Sequence, residues 1–157
     1  MQINLVCIGK TDDKEITSLM AYYIKRLPKH WNFEIVEIPD VKNARNLSSD
    51  LLKKEEAKLY MSYMDRTDLV LILDEKGKQF TSREFAQKID GWMNSSVKKI
   101  HLLIGGAYGF SDEIYSRANE KMSLSKMTFT HQMIRLFIVE QLYRADQILQ
   151  GKPYHND

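Results

Sequence analysis

The stretch LLIGGAYGFSD, residues 102–112, is an apolar run that breaks into three glycines and then a helix-start signal. A buried strand, a glycine turn and a helix in succession form the βα unit of a sheet whose strands run parallel. Glycines at such a turn let a ligand approach the backbone, and a nucleotide phosphate is the first candidate. The spacing argues against it. A dinucleotide fingerprint needs G-x-G-x-x-G on the first βα turn, with an acidic residue about 20 positions later. Here Gly105, Gly106 and Gly109 read G-G-x-x-G after the fourth apolar run, and too little chain remains for a dinucleotide fold. A Walker loop fails as well, because no Gly-Lys-Ser/Thr follows. Two readings remain: a tight turn before a helix capped by Ser111 or Asp112, or the wall of another cofactor site.

Three more β-rich runs precede this one: INLVCIG, FEIVEIP and DLVLILDE. Each ends at Gly, Pro or an acidic turn, as strands do. Between them lie helical patterns. Residues 13–27 place Ile16, Leu19, Met20, Tyr23, Ile24 and Leu27 on one amphipathic stripe. Residues 48–64 start at the pair Ser48-Ser49, and residues 82–93 start from Thr81 or Ser82 as N-cap. This alternation predicts an α/β fold, a mostly parallel sheet flanked by helices on both faces. DLVLILDE and IHLLIGG are nearly continuous apolar runs, as central strands are, whereas FEIVEI alternates and suits an edge. No repeat or linker interrupts the chain, so residues 1–157 are expected to form a single domain.

The composition bounds the function. A length of 157 residues supports a core without staples, and the formal net charge is only +2. Any basic surface for nucleic acid must therefore be local. The one cysteine, Cys7, lies in an apolar run and reads as a small buried hydrophobe; no Cys/His cluster has zinc spacing. The start MQINLVCIGK has no basic leader, and no run approaches the roughly 20 apolar residues of a membrane span. A cytoplasmic protein with no membrane contact is expected.

The last 30 or so residues depart from the alternation. SLSKMTFTHQ is a polar loop rich in hydroxyls, and MIRLFIVEQLYRADQIL is a helix apolar around most of its circumference. So wide an apolar face is buried deeply, in the core or against a second subunit. Ligands of open α/β sheets gather at the carboxyl ends of strands. Three such segments, Leu73, Gly105 and the loop 124–129, are expected to converge on one pocket.

Several motifs span the chain in order: LxxxGK near the start, LILDEKGKxFxSxEFA, LLIGGAYGF, SLSKMTFTHQMxR and the ending EQLYRAxxILxGxPYH. In these the sequence closely resembles the RlmH family of SPOUT-superfamily methyltransferases, over essentially its whole length. The resemblance implies an α/β domain with a C-terminal trefoil knot, a homodimer, and S-adenosyl-L-methionine bound within the knot. It implies methylation of the N3 position of a pseudouridine in 23S ribosomal RNA. It places cofactor contacts on Leu73, Gly105, Leu124, Ser125, Lys126, Met127, Thr128 and Phe129. One departure is Thr130, where the family commonly has proline; threonine caps a helix instead.

The residues themselves can supply that chemistry. Methyl transfer from a sulfonium needs no metal, only alignment and handling of the acceptor proton. Leu73, Leu124, Met127 and Phe129 suit apolar walls around an adenine, though without the resemblance Met127 and Phe129 read as ordinary core. Arg135 or Arg144 suits a grip on RNA phosphate; for Arg144 a surface pair with Glu140 is the alternative. His131 reads as a hydrogen-bonding residue at the helix start. In the tail, Tyr154 can stack on a base and His155 can relay the imino proton; a free tail is the alternative. Two other functions stay open: a different SPOUT methylation, of ribose or tRNA, and a non-catalytic RNA-binding or ribosome-assembly dimer. The near-neutral charge favours a structured target, the assembled ribosome, over naked RNA.

Overall fold

The first apolar run forms β1 (Gln2–Ile8), with Ile3 through Cys7 buried on both faces. In the computed structural model, which describes residues 1–154, β1 belongs to a five-stranded sheet. The other strands are β2 (Glu34–Ile38), β3 (Leu69–Gln79), β4 (Lys99–Ile104) and β5 (Glu120–Ser123). Their order is β2-β1-β4-β3-β5, and every neighbouring pair runs parallel. The expected α/β architecture is thus present. β2 occupies an edge and buries only Ile38, as its alternating pattern predicts. β4 lies at the centre with Ile100 to Ile104 buried.

Helices cover both faces. On one side α1 (Lys14–Ile24), α3 (Ser82–Met93) and α5 (His131–Leu149) pack on the sheet, bringing Met20, Phe85, Ile89 and Leu142 against Leu5, Leu71 and Leu102. On the other, α2 (Ser49–Met61) and α4 (Asp112–Arg117) bring Ala57, Tyr60 and Ile114 against Val6, Ile72 and Leu103. Each fully buried Leu or Ile stabilises by about 1.5–3 kcal/mol relative to an exposed one. Local chemistry starts the helices where the sequence signals them. Thr81 and Glu84 form a capping box on α3, and the Thr130 hydroxyl accepts from the Met133 amide, 3.3 Å away, at the start of α5.

Two features differ from the sequence reading. β3 does not stop at its acidic residues but bulges over residues 74–77 and resumes, so that Leu73 and Lys78 both face Met122. β5 was not expected at all. It is four residues long, with a charged half, too short to show a period. Long-range pairing creates it: Asn119 mimics a strand residue, donating its N–H to the Val70 carbonyl and accepting from the Val70 amide, both at 2.8 Å. Among the described residues no helix is long and apolar enough to cross a membrane.

Candidate active site

The bulge of β3, the carboxyl end of β4 and the loop from β5 to α5 border a cavity of about 470 Å3. That lies within the roughly 300–1,000 Å3 typical of small-molecule sites. The three segments expected to converge do so. Leu73 begins one wall and is followed there by Asp74 and Glu75. The glycine turn makes the second wall, and Leu124, Ser125, Met127, Thr128 and Phe129 make the third.

Each wall is held from behind. The Tyr60 hydroxyl donates to the Ile104 carbonyl at 2.5 Å and fixes the end of β4. Gly106 and Gly109 pair across the turn, where the Gly109 amide donates to the Gly106 carbonyl at 3.1 Å. Gly109 has φ of 76°, a conformation that glycine adopts without strain. A Cβ on Gly105 would lie 3.2 Å from the Gly109 Cα and 3.3 Å from the Phe110 ring, so the turn is already at contact. In the third wall the Ser123 hydroxyl donates to the Ser125 carbonyl at 2.7 Å, and the Met127 amide donates to the Ser125 hydroxyl at 2.9 Å. Phe129 meets Phe137 edge-on at 4.9 Å.

Exposure separates the wall residues from the core. Met127 is 74% exposed and Phe129 40%, so neither is a core residue, the reading favoured without the family resemblance. Lys126 belongs to the same loop but is absent from the cavity lining. The sequence reading missed Asp74 and Glu75, which directly follow Leu73, and it did not count His131, at the start of α5, as a wall residue. An acidic pair at a strand end is the signal that was available. Asp74 accepts from the Tyr115 hydroxyl and from the Lys76 amide, the latter at 2.8 Å. Burial, followed by that bond to Asp74, pushes the Tyr115 phenol up.

The basic and aromatic candidates lie elsewhere. Arg135 is 3% exposed, and its guanidinium donates to the carbonyls of Ile8 and Gly9 and to the Thr11 hydroxyl. A grip on RNA phosphate is therefore corrected: this arginine ties α5 to the end of β1. Arg144 pairs with Glu140 at 2.6 Å, the i,i+4 pair its spacing allows. Tyr154 folds back on the same helix, donating to Glu140 at 3.1 Å and packing edge-on against Tyr143 at 4.8 Å. Glu140 in turn lines a second hollow of about 320 Å3 that shares Leu124, Ser125 and Phe129 with the first. Neither Tyr154 nor Arg144 lines the first cavity, and His155 lies outside the described residues.

Residues 1–155 match the family described as "Predicted SPOUT methyltransferase". The chain belongs to the SPOUT methyltransferase family. Among similar SPOUT proteins, the "Ribosomal RNA large subunit methyltransferase H" of Cytophaga hutchinsonii is 53% identical over 99% of this chain and 100% of its own. The protein of the same name from Christiangramia forsetii is 51% identical over 99% of both chains. That from Parabacteroides distasonis is 45% identical over the whole of both. This SPOUT chain is thus a methyltransferase by family, with its cavity at the sheet end formed by β3, β4 and β5.

The cofactor of such an enzyme fits the residues present. Leu73, Leu124 and Phe129 supply apolar walls, and Gly105 adds backbone without a side chain to the same lining. The carboxylates of Asp74 and Glu75 suit a cationic ligand. Among the described residues no cluster of three His, Cys, Asp or Glu side chains stands ready for a metal. Burial pushes the Cys7 thiol up to about 11, with the Arg135 charge opposing and Glu37 reinforcing, which leaves an unreactive thiol.

Behind the glycine turn, Glu56 on α2 is 6% exposed, and burial, then the charge of Asp40, raises its pKa from 4.5 to about 7. The native carboxyl holds its proton at pH values where the unfolded one has lost it. Stability therefore falls as pH rises from about 4.5 to about 7 and stays reduced above that. Glu56→Gln removes this penalty. Urea unfolding above pH 7 is expected to show the variant more stable by about 2 kcal/mol, with no gain below pH 4.5.

Proposed function

We propose that this chain transfers a methyl group from S-adenosyl-L-methionine to the N3 position of a pseudouridine in large-subunit ribosomal RNA, on the assembled ribosome. The observation that carries the reading is the convergence of Leu73, Gly105 and the 124–129 loop on one cavity. Similarity to relatives of that substrate name over their full length supports it. A cytoplasmic location, one domain over residues 1–157 and the C-terminal trefoil knot belong to the same proposal.

The bound cofactor supplies an electrophilic methyl on a positively charged sulfur. The chain's residues orient it. Leu73, Leu124, Met127 and Phe129 would supply the apolar walls for its adenine, and backbone groups of Gly105 and of residues 125–128 would offer it hydrogen bonds. Lys126, exposed in the same loop, belongs to the proposed cofactor contacts although it does not line the cavity. The serine bonds around residue 125 hold the wall before ligand arrives, so little ordering entropy is lost on binding.

The acceptor side is built by two copies. Met133, Leu136, Phe137 and Tyr143 on α5 are only partly covered within one chain, which supports a homodimer through this helix. Tyr154 and Arg144 gather on Glu140, away from the first cavity of their own chain. Such a placement suits a tail that serves the neighbouring copy's cavity. There Tyr154 stacks on the base, Arg144 steadies a phosphate, and His155 takes the imino proton.

Calorimetric titration with S-adenosyl-L-methionine tests the donor, and mass mapping of large-subunit RNA tests the acceptor. Stoichiometric binding, and one methylated pseudouridine fragment lost from cells lacking the protein, are expected. Methylation of assembled ribosomes should exceed that of naked RNA by more than about tenfold, since the chain has too little net charge to hold RNA through phosphates. RNA binding without any donor binding would instead make the protein a non-catalytic ribosome-assembly factor.

A further inference from the structure

Glu56 has no place in the chemistry described so far, yet its position is unusual. Both carboxylate oxygens lie 2.4 Å from where a Cβ of Gly106 would stand. Gly106 is a cavity wall residue, and Glu56 is not. The carboxyl is thus separated from the cavity by the thickness of one glycine. The residue is only 6% exposed. A helix carrying KKEEAK does not require a buried acid here, since glutamate on a helix is ordinarily solvated.

We propose that Glu56 is a specificity-determining residue that favours the sulfonium donor over its demethylated product through the wall at Gly106. The inference rests on the proposed use of S-adenosyl-L-methionine. That donor is a cation at sulfur, whereas the product S-adenosylhomocysteine is a neutral thioether, and the two share the remaining atoms. A carboxylate in a poorly solvated position acts over several ångströms on the one feature that differs. Ionised Glu56 draws the donor in and loses its hold once the methyl has left, which speeds exchange of product for donor.

The surroundings make this charge conditional. Its pKa lies near 7, raised by burial and then by Asp40, which faces it from the loop after β2. Tyr60, one turn along α2, feels the charges of Glu56, Cys7 and Arg135. From α4, which packs on α2, Glu113 lies near Lys54 and Lys58 at the helix exterior. On the cavity side Asp74 and Glu75 stand on the opposite wall. A bound cation favours the ionised form, so donor binding lowers the pKa of Glu56 and strengthens as pH rises through its free value. Product binding has no such dependence.

The test is calorimetric titration of the full chain with S-adenosyl-L-methionine and with S-adenosylhomocysteine at about pH 6 and about pH 8. If the donor lowers the Glu56 pKa by about one unit, the donor-to-product affinity ratio rises about fivefold between these pH values. Glu56→Gln keeps the shape and removes the charge, so its ratio should stay at the low-pH level throughout. The ligands' own ionisations are common to both proteins and cancel in the comparison. Equal pH dependence in wild type and variant would overturn the proposal. Should the variant not fold, a wild-type ratio that stays flat across the same pH range overturns it. Failure of both ligands to bind wild type removes the donor reading itself, and the role of Glu56 falls with it. Binding of both ligands without a shift in ratio removes only the role of Glu56.

Discussion

Gly77→Ala is expected to destabilise the protein by about 3 kcal/mol and to spoil the cavity, although Gly77 lines no part of it. Gly77 lies in the bulge of β3, where Leu73 and Lys78 both face Met122. A Cβ there would sit 2.5 Å from the Met122 carbonyl carbon, 2.6 Å from the Met122 nitrogen and 2.8 Å from the Lys121 carbonyl carbon. These are backbone atoms of a paired strand, so no side chain can rotate away. Either β5 separates from β3 or the bulge opens, and in both cases Met122 and Ser123 move out of the cavity wall. Gly91→Ala is the matched control. Gly91 lies on the exposed side of α3, and its Cβ would meet nothing within 4 Å. That substitution should stabilise by about 0.5–1 kcal/mol, because alanine favours the helix. Urea midpoints of the two variants are expected to move in opposite directions. Similar shifts in both would mean that the bulge does not hold β5.

The same bulge marks where legibility in the sequence ends. INLVCI, DLVLIL and IHLLI announce themselves as strands because each buries its own side chains, a property local to the run. EKMS becomes β5 only because Val70, Leu71 and Lys78 offer it a partner, and that partner lies far away in sequence. The candidate site divides in the same way. Gly105 and the 124–129 loop each stand directly after a strand, and Leu73 ends the apolar run of β3 before its bulge; the topology of an α/β sheet brings such positions together. Their convergence was therefore visible as soon as the strands were. Glu56 was invisible, since its burial is decided by the missing side chain of Gly106 rather than by its own helix. Arg135 misled for a related reason. An arginine four residues beyond His131 looks like a surface cation until the carbonyls of β1 are placed against it.

That placement yields the other large expected effect. Arg135→Met should cost about 3–5 kcal/mol, the range for breaking a buried, hydrogen-bonded charge by removing one partner. Its Nη2 donates to the Ile8 carbonyl at 2.7 Å, and its Nη1 donates to the Gly9 carbonyl at 3.1 Å and the Thr11 hydroxyl at 2.9 Å. Glu37, 3.7 Å from Nη1, also accepts from the Thr11 amide and hydroxyl at 2.7 Å, so one guanidinium organises the end of β1 and the edge strand β2. Methionine fills the volume but leaves the carbonyls of Ile8 and Gly9 without this donor. Arg135→Lys should recover less than half of the loss, since one ammonium cannot reproduce the planar fork. Denaturant unfolding reads the stability, and RNA binding measured well below the unfolding midpoint reads the alternative role. Lost stability with RNA affinity retained by the folded fraction is the expected pattern. Unchanged stability together with weakened RNA binding would return Arg135 to the surface that meets the substrate.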